Sequence, residues 1–109
     1  MKGYYLGEFE EIVLLTVCGL QEGAYGNAVK EEINRCSHRQ VGLSAIHAAL
    51  YRMERKGYLT SQKGEPTKER GGKRKKYFSI TPFGVKALKM AEETRQELRS
   101  AIPKIIWQV

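Results

Sequence analysis

The sequence has few of the residues that build disulfide frameworks and metal sites. Its 109 residues include two cysteines and two histidines, and their spacing matches no metal-binding pattern. Cys18 lies in the most apolar segment, so we expect a small buried side chain there. Cys36 follows a predicted helix end and is expected nearer the surface. These observations predict no metal, no cofactor and no disulfide.

Long hydrophobic runs are also lacking. The longest apolar stretch, residues 12–20, is roughly half as long as a membrane-spanning helix and is interrupted by Thr16 and Gly19. The first residues do not show the basic start, apolar centre and small-residue cleavage site of a signal peptide. We therefore expect a cytoplasmic protein that has no membrane partner.

Catalytic and nucleotide-binding motifs are absent as well. The pairs Glu10-Glu11, Glu31-Glu32 and Glu92-Glu93 are adjacent in sequence, so their side chains diverge on a helix and do not form a general acid–base pair. Gly71-Gly72 fits a turn within a hairpin and is not a phosphate-binding loop. We therefore expect that the protein is not an enzyme.

Positive charge, by contrast, is concentrated in one part of the chain. The net charge is +7 at pH 7, and residues 52–76 alone carry ten lysines and arginines against three glutamates. A globular fold does not require this segregation, whereas a polyanionic partner explains it, and nucleic acid is the commonest one. The length predicts one domain with one modest core.

Hydrophobic periodicity predicts three helices in the first half of the chain. The first, residues 8–21, is apolar on nearly all sides, which in so small a domain predicts burial against another subunit. The second spans residues 25–35 and has Asn27 as its cap, and the third runs from a Ser44 cap to Gly57. The third helix has an apolar inner face that consists of Ile46, Ala49, Leu50 and Met53.

A hairpin and a last helix follow. Residues 58–63 and 75–80 are predicted to form two strands joined by a long basic tip. Thr81 as cap and Pro82 at the first helical position begin the last helix, and Pro103 predicts a kink or restart near its end. The apolar positions of this helix follow a coiled-coil-like seam. They are Leu88, Ala91, Leu98, Ile102 and Ile105.

This order of elements is that of a winged helix-turn-helix, a mainly α fold with a small β-hairpin. In such a fold the third helix enters the major groove and the hairpin contacts the backbone or the minor groove. We expect residues 1–81 to form a DNA-binding domain and residues 82–109 to form a C-terminal dimerisation helix, together making one compact unit.

Several segments resemble the PadR-like family of transcriptional regulators. Residues 43–59, with the pattern Leu-x-x-Met-Glu-x-x-Gly, are similar to the family's recognition-helix segment. Residues 73–84 resemble its second wing strand and Thr-x-x-Gly junction, and Tyr25-Gly26 resembles the start of its second helix. Over residues 9–88 the resemblance implies a homodimeric DNA-binding transcription factor, usually a repressor, whose first and last helices form the dimer interface.

The chain departs from the family along the third helix. Ala45, His47 and Ala48 stand where members commonly carry Thr, Tyr and Pro. The usual Tyr is thought to contact DNA, and a histidine at that place can still donate to a phosphate. We therefore do not expect a relative's operator sequence to transfer to this protein.

The expected DNA-contacting residues lie on the third helix and in the basic hairpin. They are Ser44, His47, Tyr51, Arg52 and Arg55, followed by Lys73, Arg74, Lys75 and Lys76. Arg52 fits either a guanine or a phosphate contact, and for Tyr51 a half-buried packing role is an equal alternative. The expected dimerisation residues are Phe9, Val13, Leu88, Ala91, Leu98, Ile102 and Ile105.

Two further interpretations remain open. Some members of the family hold planar ligands between aromatic residues at the dimer interface, which makes Trp107 a candidate for binding a small aromatic effector. Packing of Trp107 against Tyr4, Tyr5 or Phe9 of either subunit is the simpler interpretation. As an alternative to a regulator that binds a two-fold-symmetric duplex operator, a winged-helix module can bind RNA or a protein partner.

Overall fold

A computed structural model describes residues 5–66 and 74–108 of the chain. Its elements are helices α1 (Glu8–Leu20), α2 (Gly26–Cys36) and α3 (Leu43–Arg55), strands β1 (Leu59–Pro66) and β2 (Arg74–Ile80), and helix α4 (Pro82–Ser100). Short 3₁₀ turns occupy Gln21–Gly23 and Lys104–Gln108. The two strands pair as an antiparallel hairpin. The predicted winged-helix fold is therefore confirmed.

The core forms where the first three helices meet the base of the hairpin. The predicted inner face of α3 is confirmed, since Ile46, Ala49, Leu50 and Met53 are all buried. They pack with Val13, Leu14 and Val17 of α1 and with Phe78 of β2. Burying a side chain of this size contributes roughly 1.5–3 kcal/mol. This packing fixes which side of α3 is left to face outward.

The helix starts agree with the sequence at α4 and differ from it at α2 and α3. Thr81 caps α4, because its hydroxyl accepts a hydrogen bond from the Gly84 amide at 3.0 Å. The predicted caps Asn27 and Ser44 are wrong, since each already lies inside its helix. The cap positions are Tyr25 and Gly42, and neither contributes a side-chain hydrogen bond.

The end of α3 follows the expected geometry. Gly57 has a φ of 88°, a left-handed conformation that glycine adopts without strain. The carbonyl of Gly57 accepts a hydrogen bond from the Thr81 hydroxyl at 2.6 Å. This bond joins the turn after α3 to the start of α4.

One side of α1 is left uncovered by the rest of the chain. Cys18 is exposed, so the expectation of a buried cysteine is wrong. Leu15, on the same side of the helix, keeps 51% of its surface exposed. The core takes only the side of α1 that carries Val13, Leu14 and Val17, and an apolar residue type alone does not reveal which side that is.

Helix α4 belongs to the core only at its start. Ala87 is fully buried, and a Cβ atom at Gly84 would lie 2.4 Å from the Tyr58 carbonyl oxygen, so only glycine fits there. Every residue from 92 to 108 is exposed, and the molecule measures 56 × 33 × 20 Å. The helix ends at Ser100 and a 3₁₀ turn begins at Lys104, which confirms the expected restart around Pro103.

None of the helices in the part of the chain that the structure describes combines the length and hydropathy needed to cross a membrane.

Candidate nucleic-acid interface

The register of the hairpin places positive charges opposite one another. Lys63 of β1 pairs with Lys76 of β2, and the register then shifts between Lys63 and Pro66. Like charges directly opposite on a hairpin destabilise it. Because the Lys63–Lys76 pair destabilises the hairpin, its presence suggests that these lysines bind an anion.

Glu54 attaches one side of α3 to the hairpin, which is the wing of the fold. One carboxylate oxygen of Glu54 lies 3.3 Å from the Lys76 Nζ, and the other accepts a hydrogen bond from the Ser61 hydroxyl. The Lys76 Nζ also lies 4.5 Å above the centre of the Tyr51 ring, in the range of a cation–π contact. Glu54 thus joins α3 to both strands and orients Lys76.

A concave surface that encloses a volume of about 270 Å³ lies between α3, the start of α2 and the hairpin. It brings together five of the residues predicted to contact DNA, and it adds others that the sequence interpretation missed. The predicted ones are His47, Tyr51, Arg74, Lys75 and Lys76, and the added ones include Tyr25, Asn27 and Lys63. The structure therefore gathers most of the predicted basic and aromatic residues on one face.

Tyr25 has a specific place in this concave surface. The Lys75 Nζ lies 4.2 Å above the centre of the Tyr25 ring, and the ring packs edge-on against Tyr77 at 5.7 Å between centroids. The Tyr25-Gly26 motif marked the start of α2 in the sequence. Its proximity to the hairpin, however, depends on tertiary packing that the sequence does not display.

His47 joins α3 to the start of α2. Its imidazole lies so close to Gly26 that a Cβ atom at that position would be 2.3 Å from the Nε2. The ring also lies 5.9 Å from that of Tyr51. His47 is half-buried, so part of its ring faces the concave surface while the rest packs against α2.

The opposite side of α3 contacts α1 rather than the hairpin. The Arg52 Nε donates to the Glu10 Oε2 at 3.0 Å, and the Lys56 Nζ donates to the same oxygen at 3.1 Å. Burial would by itself raise the pKa of Glu10, but hydrogen bonds from the Gly7 amide, Arg52 and Lys56 lower it below its ordinary value. The structure therefore does not place Arg52 beside His47 and Tyr51.

The remaining predicted contact residues lie on the outer face or beyond the described residues. Ser44 and Arg55 are exposed on the side of α3 that points away from the core. Lys73 lies outside the residues that the structure describes.

The residues predicted for dimerisation divide into buried, half-buried and exposed ones. Val13 is fully buried in the core of its own chain, so it has no surface left for a partner, and Phe9 is half-buried against that core. Leu88 and Ala91 are half-buried. The remaining three are exposed: Leu98 (66%), Ile102 (36%) and Ile105 (70%).

Leu15 of α1 and Met90 of α4 are exposed apolar residues as well, at 51% and 46%. The sequence interpretation missed Leu15 because α1 is apolar on nearly all sides, so its periodicity does not show which side faces the core. Trp107 is 58% exposed, and the Arg99 guanidinium lies 5.7 Å from the centre of its ring.

Over residues 5–66 and 74–108, no three His, Cys, Asp or Glu side chains lie close enough together to hold a metal ion.

Three helices followed by a basic antiparallel hairpin define the winged-helix class of DNA-binding folds. Residues 14–90 match the profile of the transcriptional regulator PadR-like family. The chain therefore belongs to the PadR-like family of transcriptional regulators. No curated protein matches the sequence.

Solved structures with the same fold include two regulators. A PadR-like transcription factor from Bacteroides fragilis is 22% identical, with a TM-score of 0.73 over 89% of this chain and 88% of that chain. A transcriptional regulator from Clostridium thermocellum is 27% identical, with a TM-score of 0.64 over 94% and 96% of the two chains.

A third similar structure was solved with DNA bound. It is the ORC1 protein of Aeropyrum pernix in complex with DNA, which is 16% identical, with a TM-score of 0.63 over 86% of this chain and 26% of that chain. At this level of identity the likeness shows the fold alone.

Proposed function

We propose that the protein is a homodimeric transcriptional repressor that binds a two-fold-symmetric duplex operator. The observation that carries this proposal is the concave surface between α3 and the hairpin, where His47 and Tyr51 lie beside Arg74, Lys75 and Lys76. In this proposal residues 1–81 supply the DNA-binding domain, residues 82–109 supply the dimerisation helix, and the protein acts in the cytoplasm.

The outer face of α3 enters the major groove. Ser44, His47, Tyr51 and Arg55 supply side chains that can meet base edges or phosphates there. Lys73, Arg74, Lys75 and Lys76 neutralise phosphates of the backbone. Each phosphate neutralised on duplex DNA contributes about 0.9 to the slope of log affinity against log salt.

The uncovered half of α4 and the residues that follow it support dimerisation. Leu98, Ile102 and Ile105 project from a segment in which every residue is exposed. A single helix of this kind has little stability in water without a partner surface. A second copy of the chain would cover these residues together with Leu15 of α1. Two-fold symmetry would then set the two recognition helices about one turn of DNA, or some 10 bp, apart.

The proposal is tested by measuring binding to a duplex from the gene's own upstream region and to a random duplex of equal length, at two salt concentrations. Preference for the upstream duplex that persists at the higher salt supports a sequence-specific regulator. Equal binding to both duplexes that disappears at higher salt contradicts it, because that pattern reflects phosphate contacts alone. Competition by RNA or capture of a protein by α3 would then favour the alternative winged-helix functions.

The outward face of α3 argues against a protein partner at this site. The large apolar side chains exposed along α3 are Leu43 and Tyr51, which are 38% and 39% exposed. A protein-binding face normally presents a contiguous apolar patch at its centre. A surface of small, polar and basic side chains is better suited to a nucleic-acid groove.

A second candidate function, effector binding, has one observation in its favour. A concavity of about 510 Å³ lies between the N-terminal segment and α4, lined by Tyr5, Leu6, Glu11, Met90, Ala91, Thr94, Arg95 and Leu98. Its volume falls in the range of small-molecule sites. We propose a planar aromatic effector that binds here, near Trp107 of one subunit or the other, and relieves repression. Quenching of Trp107 fluorescence on titration with planar aromatic compounds tests this, and an unchanged spectrum contradicts it.

A further inference from the structure

Glu10 is a buried carboxylate that the proposed DNA contacts do not use. Only 7% of its surface is exposed, although it lies in the first turn of α1, far from α3 in sequence. Burying a charged group is costly unless hydrogen-bonded partners compensate for the lost water. The partners that the fold supplies to Glu10 therefore indicate what the residue does.

Both oxygens of this carboxylate are engaged. The Oε1 accepts a hydrogen bond at 3.0 Å from the amide of Gly7, the residue before α1. The Oε2 accepts from the Nε of Arg52 in α3 at 3.0 Å and from the Nζ of Lys56, the residue after α3, at 3.1 Å. Arg52 and Lys56 are four residues apart and so lie on the same side of the helix. Glu10 thus holds the last turn of α3 and the residue that follows it.

A second carboxylate holds the other side of α3. Glu54 binds Lys76 and Ser61 of the hairpin, whereas Glu10 binds Arg52 and Lys56 from α1. Between these two attachments lies the outer face with Ser44, Ala48 and Arg55. The arrangement restrains rotation of α3 about its own axis.

We propose that Glu10 is a positioning residue for operator recognition, which fixes the rotation of α3 through Arg52 and Lys56. Arg52 accordingly contributes to operator preference through the orientation of the helix and not by reading a base. This role rests on the proposed DNA-binding function.

The geometry of a helix explains why such a restraint affects sequence preference. Side-chain tips lie about 5–6 Å from the axis of a helix, so a rotation of about 10° moves them by about 1 Å. Base readout requires placement within roughly 0.5 Å. Contacts with phosphates tolerate such a shift better, because a lysine or arginine side chain can readjust towards a charge. Loss of the restraint should therefore weaken operator binding more than random-duplex binding.

The main test compares Glu10→Gln with the matched control Glu32→Gln. Both changes remove one negative charge, but among the residues that the structure describes Glu32 pairs within its own helix, with Arg35 and Cys36 on the surface of α2. We expect Glu10→Gln to lower the ratio of operator to random-duplex affinity by about tenfold, within the range of coupling between contacting residues. Glu32→Gln should leave the ratio unchanged. A simple loss of folded protein would lower both affinities together and leave the ratio intact.

The variants of Arg52 separate positioning from base reading. We expect Arg52→Gln to lower the ratio about as much as Glu10→Gln, and the double variant to lower it no further. A ratio that stays at the wild-type value in Glu10→Gln but falls in Arg52→Gln would overturn the proposal, because Arg52 would then act on the DNA by itself.

The Lys56 variant keeps the proposal testable if Glu10→Gln does not fold. Lys56 is 43% exposed, so Lys56→Gln should fold even where Glu10→Gln does not. We expect Lys56→Gln to lower the ratio of operator to random-duplex affinity by a smaller factor. An unchanged ratio in both Lys56→Gln and Arg52→Gln would overturn the proposal. Wild-type protein that shows no preference for any duplex would instead contradict the proposed DNA-binding function itself.

Discussion

Arg95 of α4 donates hydrogen bonds to both carboxylate oxygens of Glu11 in α1, with the shortest, from the Nη2, at 2.7 Å. Glu11 is 11% exposed and Arg95 is 54% exposed, so the pair lies at the edge of the core. Arg95 also stands at the point where α4 leaves the core and becomes exposed on all sides. This pair therefore joins α1 to the start of the uncovered half of α4.

Replacing Arg95 with glutamine tests the contribution of this pair to dimerisation. Because Arg95 is more than half exposed, we expect a loss of at most about 1 kcal/mol in folding stability. Misdirection of α4 should raise the dimer dissociation constant by up to about fivefold, measured by sedimentation at several protein concentrations. Glu97→Gln provides a control on the same exposed half of α4. An equal shift in both variants would show that the Arg95–Glu11 pair has no special role.

Loss of two wing lysines should weaken DNA binding without regard to sequence. We expect Lys75→Ala with Lys76→Ala to reduce affinity for operator and random duplex alike. The salt slope should fall by about 1.8, because each lost phosphate contact removes about 0.9. Lys86→Ala with Lys89→Ala on α4 removes the same charge far from the wing and should leave the slope unchanged. If the salt slope of the Lys75 and Lys76 double variant also stays at the wild-type value, the wing lysines do not contact phosphates.

A side chain at Gly26 should displace the His47 imidazole. In Gly26→Ala the new Cβ would lie 2.3 Å from the His47 Nε2, so the imidazole must move, at a cost of about 1–3 kcal/mol in unfolding free energy. Urea unfolding measures this loss. Adding His47→Ala removes the clash. The double variant should therefore regain most of the lost stability. No recovery would show that another neighbour limits the space at Gly26.

The lowered pKa of Glu10 predicts a specific dependence of stability on pH. A carboxylate whose pKa is lower in the folded state stabilises the fold above its unfolded pKa, ordinarily 4.5. That contribution is lost as the pH falls through the lower, folded value. The difference in unfolding free energy between wild type and Glu10→Gln should therefore be largest near neutral pH and shrink below about 4.5. Denaturant unfolding at several pH values measures it, and a constant difference would contradict the pairing with Arg52 and Lys56.

The order of elements and the inner face of α3 could be predicted from the sequence because both depend on local periodicity. Ile46, Ala49, Leu50 and Met53 recur at helical spacing and are all buried. The Thr81-Pro82 start of α4 is likewise a local signal, and the structure confirms it. Membership of the PadR-like family follows from the same segments.

The remaining features depend on contacts between residues that are distant in sequence. Arg52 lies 42 residues from Glu10, so no pattern along the chain reveals that α1 holds it on the side away from the wing. Val13 and Leu15 are both apolar and only two residues apart, yet one is fully buried and the other is 51% exposed. Which of the two faces the core depends on how α1 packs against its neighbours, and local periodicity does not contain that information.

Helix α3 is held by contacts on two sides and has one outer face between them. This division affects how its proposed preference for a DNA sequence can be re-engineered. Ser44, Ala48 and Arg55 are exposed and lie between the sides that Glu10 and Glu54 hold. Exchanges at exposed helix positions usually change stability by less than about 0.5 kcal/mol. A library randomised at these three positions would therefore vary the part that is proposed to meet the bases on an unchanged scaffold, and new operators could be selected without redesign of the fold.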